Sequence, residues 1–158
     1  MNKIDFGVLS GNNTSFAFDL YNQLRLEDGN LFFSPYSVSV ALAMTYAGAR
    51  RETESQLARV MRFDLPQNGL HLAFASLQKI IADAEAKGNI QLQIANSLWS
   101  QSGYPLLETY LNLVKEHYGV SITSLDYKNN AEAARQIINN WVEEQTKKKI
   151  RELIPDGK

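Results

Sequence analysis

The stretch Asn30 to Leu57, NLFFSPYSVSVALAMTYAGARRETESQL, decides the fold because it writes three structural devices in succession with little polar relief. Leu31 to Phe33 predicts a short buried strand. Ser34 is a helix N-cap, and Pro35 stands at the first helical position, where a missing N–H costs nothing. The run Val38 to Ala47 is apolar on nearly every side, so its helix belongs inside a larger body. Gly48 is expected as the C′ residue of that helix. Thr53 with Gln56 predicts a capping box for the next one, which carries Leu57, Val60 and Met61.

Working outward, Asn13 or Thr14 is expected to cap a first helix with Phe16, Leu20 and Leu24 on one face, ended by Asp28-Gly29. Pro66 to Gly69 predicts a turn, and His71 to Ala86 a helix with Phe74, Leu77, Ile81 and Ala84 at helical spacing. From Ile90 to Trp99 the pattern switches to period two, which predicts a strand with one face on a core. A turn at Ser102-Gly103 leads to a helix opened by Pro105, carrying Leu107, Leu111, Val114 and Tyr118 and stopped by Gly119. Val120 to Leu125 reads as a second strand. A last helix from about Asn130 aligns Ala134, Ile137, Ile138, Trp141, Val142 and Gln145 in a stripe suited to lie across another surface. The fold class is α+β, and residues 1–158 read as one continuous segment without repeats or linkers.

Sixteen basic and seventeen acidic residues spread along the chain create no field that would recruit nucleic acid or an anionic membrane. There is no cysteine, which excludes disulfides and thiol chemistry and leaves the compartment open. Met1 to Leu9 is too short and polar for a signal peptide, and no apolar run is long enough to span a bilayer.

Catalytic chemistry finds no support. His71 and His117 lack partners at metal spacing and read as partly exposed helix residues. Ser34 and Ser37 have no general base at nucleophile spacing and no nucleophile elbow appears, so hydrolase chemistry is rejected. Glu143 and Glu144 precede Lys147 and Lys148 by four, a favourable helix-surface pairing. Lys147, Lys148, Lys149 and Arg151 read as a helix C-terminus whose dipole favours cations rather than as an anion site. Asn12-Asn13-Thr14 and Asn13-Thr14-Ser15 match glycosylation sequons, and Asn13 serves equally as a helix cap.

The ordered residues Asn30, Ser34-Pro35-x-Ser37, Gly48-Ala49 and Thr53-x-x-Gln56 resemble the serpin family of serine protease inhibitors. So do Ala95-Asn96-x-Leu98-Trp99-x-Gln101, Asp126-Tyr127 and Asn140-Trp141-Val142 with Thr146 and Lys149-Ile150. The resemblance runs from about Thr14 to Ile154. It implies the serpin fold from helix A to helix F, with two strands of the main sheet A, as an N-terminal fragment or one piece of a cleaved chain.

By that resemblance Asn30, Ser34, Pro35, Ser37, Thr53 and Trp141 are shutter or structural residues; Ser34 and Ser37 would satisfy buried polar groups while the main sheet opens and closes. The implied activity of the parent molecule is conformational trapping of a target serine protease; the resemblance thus implies that the chain is no enzyme and needs no cofactor. Its metastable fold would insert a cleaved reactive loop as a new strand. The reactive site would lie beyond Lys158, and the C-terminal piece of the same molecule would be a partner. The segment alone is expected to inhibit nothing and to expose the edge of the Ile90 strand and the helix around Val40 to Tyr46. A non-inhibitory carrier, chaperone or storage protein is the alternative.

Heparin is not expected, since the corresponding helix offers only His71, Lys79 and Lys87. The resemblance slightly favours the extracellular space and leaves the cytoplasm open. Family members commonly carry glycine where this chain has Lys148, so a left-handed backbone there would cost about 1 kcal/mol.

Overall fold

Two hydrophobic cores divide the computed structural model, which describes residues 6–88 and 94–157. The elements, in chain order, are α1 (Phe6–Leu24), α2 (Pro35–Gly48), α3 (Arg51–Met61), α4 (Gln67–Lys87), β1 (Ser97–Gln101), α5 (Glu108–Tyr118), β2 (Ser121–Leu125) and α6 (Ala131–Gln145).

The larger core forms around α2, which touches α1, α3, α4 and α5. Its Val40, Ala43, Met44, Tyr46 and Ala47 are buried against Phe16, Met61, Phe63, Leu70, Phe74 and Val114. The expectation that the helix from Val40 to Tyr46 would be exposed in this segment is therefore wrong. Four neighbours supplied by the chain itself cover it, and removing each large apolar side chain from water stabilises the assembly by roughly 1.5–3 kcal/mol.

Ser34 caps α2 as read: its Oγ accepts from the Ser37 backbone N–H at 3.3 Å, and Pro35 occupies the first turn. The other end differs from expectation. Gly48 is still helical, and Ala49 leaves in an extended conformation. Glycine at position 48 allows a close contact instead: a Cβ there would stand 3.2 Å from the Tyr110 ring of α5, which would have to give by a few tenths of an ångström. The closing carbonyls are met by side chains. Arg50 Nη1 donates to the Ala47 and Ala49 carbonyls, and Gln67 Nε2 to those of Tyr46 and Ala49.

Several expected boundaries move. Helix α1 begins by Phe6, so Asn13 and Thr14 are interior residues: Thr14 Oγ1 donates back to the Ser10 carbonyl, and Asn13 Oδ1 accepts from Ser39 Oγ at 2.7 Å. The N-cap of α3 is Arg50, which leaves Thr53 exposed inside the helix, while Gln56 donates to Glu52. The capping box is absent. Val60 of that helix faces outward and Met61 inward. Pro66 is the N-cap of α4, so the expected turn is the start of that helix. Residues 31–33 form no strand among the described residues, and Leu31 and Phe32 are exposed rather than buried.

The expected strand Ile90 to Trp99 falls partly outside the described residues; its described part is β1, shifted to Ser97–Gln101. This strand pairs in parallel with β2 in the register Ser97↔Ser121 to Gln101↔Leu125. Gly119 ends α5 in the left-handed conformation, φ 61°, and turns the chain into β2.

The smaller core lies between this sheet and α6. Leu125, Ala134, Ile138 and Val142 are buried there, with Trp99, Tyr127, Trp141 and Ile154 packed against them. Trp99 and Trp141 meet edge to face with centroids 5.6 Å apart. Of the stripe read on this helix, Ile137 and Gln145 are exposed.

After Gln145 the chain turns through Lys147 (φ 48°) and Lys148 (φ 63°), both left-handed. The helix ends before these lysines, so they do not lie on one helix surface with Glu143 and Glu144 as expected. Beyond the turn, residues 150–156 fold back over α6. Asn139 Oδ1 accepts from the Leu153 and Ile154 backbone N–H groups, and Asn139 Nδ2 donates to the Ile154 carbonyl. Arg135 adds a bond to that carbonyl and ion pairs with Glu132 and Glu152.

The left-handed lysine yields a measurable expectation. Lys148→Gly removes a Cβ clash and should stabilise the chain by about 1 kcal/mol, less the added chain entropy of glycine. A urea titration checks it, and an unchanged or lower midpoint contradicts the strain.

Candidate functional site

The N-terminus of α2 gathers the two serines that the sequence singles out. Ser37 Oγ donates to Ser34 Oγ at 3.0 Å, so the Ser34 oxygen serves both as the helix cap and as the acceptor of the second hydroxyl. Ser34 is exposed and Ser37 half-buried. The approach to this pair is open: Asn30 and Leu31 are exposed, and Phe32 is 98% exposed. Leu31 and Phe32 thus form a small exposed apolar pair just before this helix N-terminus.

The remaining singled-out residues lie elsewhere. Pro35 is half-buried in the first turn of α2, and Thr53 is exposed on α3. Trp141 belongs to the core beneath α6, not to the core that holds α2. Among the described residues, no group of three or more His, Asp or Glu side chains could hold a metal ion.

One polar cluster escaped the sequence reading. His71 is fully buried rather than partly exposed, and its Nδ1 lies 2.6 Å from the Tyr118 hydroxyl, joining α4 to α5. Tyr118 O–H is a donor held neutral, since burial raises its pKa. The arrangement in which it donates to an unprotonated Nδ1 leaves the Nε2–H without a partner among the described residues. The His117 ring stacks on His71 at 6.3 Å, and Tyr46 lies at the same distance on the α2 side. Burial holds the His71 pKa down at about 4, and the neighbouring His117 and Arg50 push the same way. A signal existed in the sequence: His71 stands three residues before Phe74, on the same helix face.

The Ser39 to Asn13 bond was also missed, and it ties the buried middle of α2 to α1. Asn13 is thereby engaged inside a helix, as a bonded residue rather than a terminal cap.

Comparison with known proteins agrees with this architecture. The family model described as serpin, serine protease inhibitor, matches residues 11–158. A serpin-like protein of Methanosarcina acetivorans is 38% identical over 156 residues, an alignment covering 96% of this chain and 36% of that protein. The leukocyte elastase inhibitor of Sus scrofa is 39% identical over 151 residues, covering 94% of this chain and 39% of the inhibitor. The structure of emu (Dromaius novaehollandiae) ovalbumin superposes with a TM-score of 0.85 at 28% identity, covering 94% of this chain and 42% of ovalbumin. The chain thus spans well under half the length of these relatives.

The buried histidine sets a pH dependence. Above pH 6.5 both folded and unfolded states hold it neutral; between 6.5 and about 4 only the unfolded state takes the proton, so stability falls with acid. The loss should reach up to about 3 kcal/mol near pH 4. Urea midpoints for the chain and for His71→Gln between pH 7.5 and 4 isolate it, because the carboxylates titrate in both. Identical slopes would show that His71 carries no such linkage.

With the helical core, the parallel strand pair and the tryptophan helix across that pair all in place, the chain belongs to the serpin family.

Proposed function

We propose that this chain is the N-terminal part of one serpin domain, whose remaining part carries the reactive loop, and that the complete molecule inhibits a serine protease by conformational trapping. The observation that carries the reading is the open face at Asn30 to Ser37. Phe32 stands in water beside a preformed Ser34–Ser37 hydroxyl pair at the N-terminus of the most enclosed helix. The rest of the domain would bury that ring and give the hydroxyls further partners. A target protease is favoured by the family description and by the likeness to leukocyte elastase inhibitor.

In this reading the Ser34–Ser37 pair works in the shutter. The two hydroxyls can rotate without moving the backbone, so they can satisfy different neighbours before and after a strand enters the sheet. The sheet holding β1 and β2, with α6 across it, is the part that receives the strand. The likeness to ovalbumin keeps a second reading in view, in which the molecule is a non-inhibitory carrier, chaperone or storage protein.

The test is incubation of the complete polypeptide with a panel of serine proteases. Trapping predicts a covalent complex that survives SDS, formed by the complete molecule and not by residues 1–158 alone. Cleavage without a complex across the panel would favour the storage or carrier reading. In the complete molecule Ser37→Leu removes one hydroxyl and inserts bulk, and it should cause polymerisation or loss of inhibition. Unchanged melting temperature together with unchanged inhibition would sink the shutter assignment.

A further inference from the structure

A cavity of about 380 Å³ opens where α1, α2 and α4 meet, its wall including Tyr36, which stands between Ser34 and Ser37 in the first turn of α2. Its walls include Leu9 and Phe74, both buried in the main core, and Leu77 packed against that core. Phe6 and Ile80 also line it and are 37% and 51% exposed, so they can form its mouth. This volume falls within the range of small-molecule sites, which commonly sit between the helices of bundles.

The lining specifies a chemistry. None of its residues is charged. Polar groups come from Ser10, Asn13 and Tyr36, two of which are neighbours on α1. The Oδ1 of Asn13 accepts from Ser39, and the amide's Nδ2 can donate. Ser10 is exposed, and its hydroxyl can also donate. Tyr36 contributes to the wall, and its hydroxyl is buried without a hydrogen-bond partner among the described residues. Burial pushes the Tyr36 pKa up to about 12, so this group too is a neutral donor. An apolar chamber with donors and no fixed charge disfavours an ion, which would lose its hydration without a counter-charge.

We propose that this cavity binds an uncharged, largely apolar small molecule of one or two rings bearing a single oxygen acceptor, with its body against Leu9, Phe74 and Leu77 and its oxygen toward Ser10 and Asn13. The inference does not depend on protease trapping; such a site can serve an inhibitor or a carrier. Occupancy would also couple to stability, because a ligand bound only by the folded state raises it by mass action.

The test uses 2-naphthol, neutral at pH 7, with naphthalene as its matched lure lacking the oxygen. Calorimetry should show one saturable site for 2-naphthol on the chain, with methyl signals of Leu9 and Leu77 shifting in the NMR spectrum. Naphthalene should bind about tenfold more weakly. Ser10→Phe starts from an exposed position, so the variant should fold, and its ring should plug the cavity and weaken 2-naphthol binding at least tenfold. No saturable binding by 2-naphthol overturns the proposal. So does binding that Ser10→Phe leaves unchanged, since the ligand then sits on exposed aromatics such as Phe32. Equal affinity for the two probes overturns the assignment of an oxygen-recognising end.

Discussion

The enclosure of α2 is the constraint on which the rest of the structure depends. A helix with almost no polar face needs neighbours on most of its sides, and here α1, α3, α4 and α5 pack against it and leave only residues such as Thr45 and Gly48 exposed. The requirement reaches down to single atoms. Ala43 and Ala47 keep the helix slim, Gly48 lets the Tyr110 ring approach, and buried Ser39 must find a partner, which Asn13 supplies. The same enclosure prevents water from reaching the last carbonyls of the helix. Arg50 and Gln67 therefore reach in from the following turn and from the start of α4. An uncapped buried carbonyl would cost about 1–3 kcal/mol, comparable to what a large apolar side chain contributes.

Periodicity made most of the helices legible, because burial on one face leaves a repeat that local sequence records, while α2 was legible from Ser34, Pro35 and its all-round apolar run. Boundaries were less legible, for reasons visible at particular residues. Asn13 and Thr14 carry cap chemistry, yet the same side chains are stable inside α1 once Thr14 bonds back to Ser10 and Asn13 finds Ser39. Thr53 and Gln56 match a capping box in spacing, but Arg50 begins the helix earlier, and Gln56 turns to Glu52. At Leu31 to Phe33 the composition of a strand is present and the partner is not, since pairing is non-local and a strand's neighbour is not written in its own residues.

Buried polar groups were the least legible part of the candidate sites. Nothing distinguishes a buried histidine from an exposed one except the face it occupies, and His71 shares its face with Phe74. Asn139 offers less still, standing between the buried Ile138 and Asn140. Its three bonds to residues 153 and 154 hold the segment after α6 against that helix, and Ile154 joins the smaller core. The helix, its returning segment and the sheet face thus form a unit distinct from the core around α2. The two cores meet through α5, which touches α2 and α4 on one side and β2 on the other.

The energetics of the Ser34–Ser37 pair follow from where it sits. A hydroxyl–hydroxyl bond in contact with water exchanges one good partner for another, so its net contribution is small. Covered by apolar surface, the same bond strengthens as the local dielectric falls, and each hydroxyl left unpaired becomes costly. The pair therefore acquires its energetic weight from whatever lies against Phe32, and a cover that can exist in two arrangements gives it two energies. In the proposed shutter reading the two serines are small rotatable donors at a fixed helix terminus, of little weight in water and of more when enclosed. The rigid support is already present beneath them, because Val40 and Ala43, one and two turns further along the same helix, are fully buried and cannot shift without disturbing all of its neighbours.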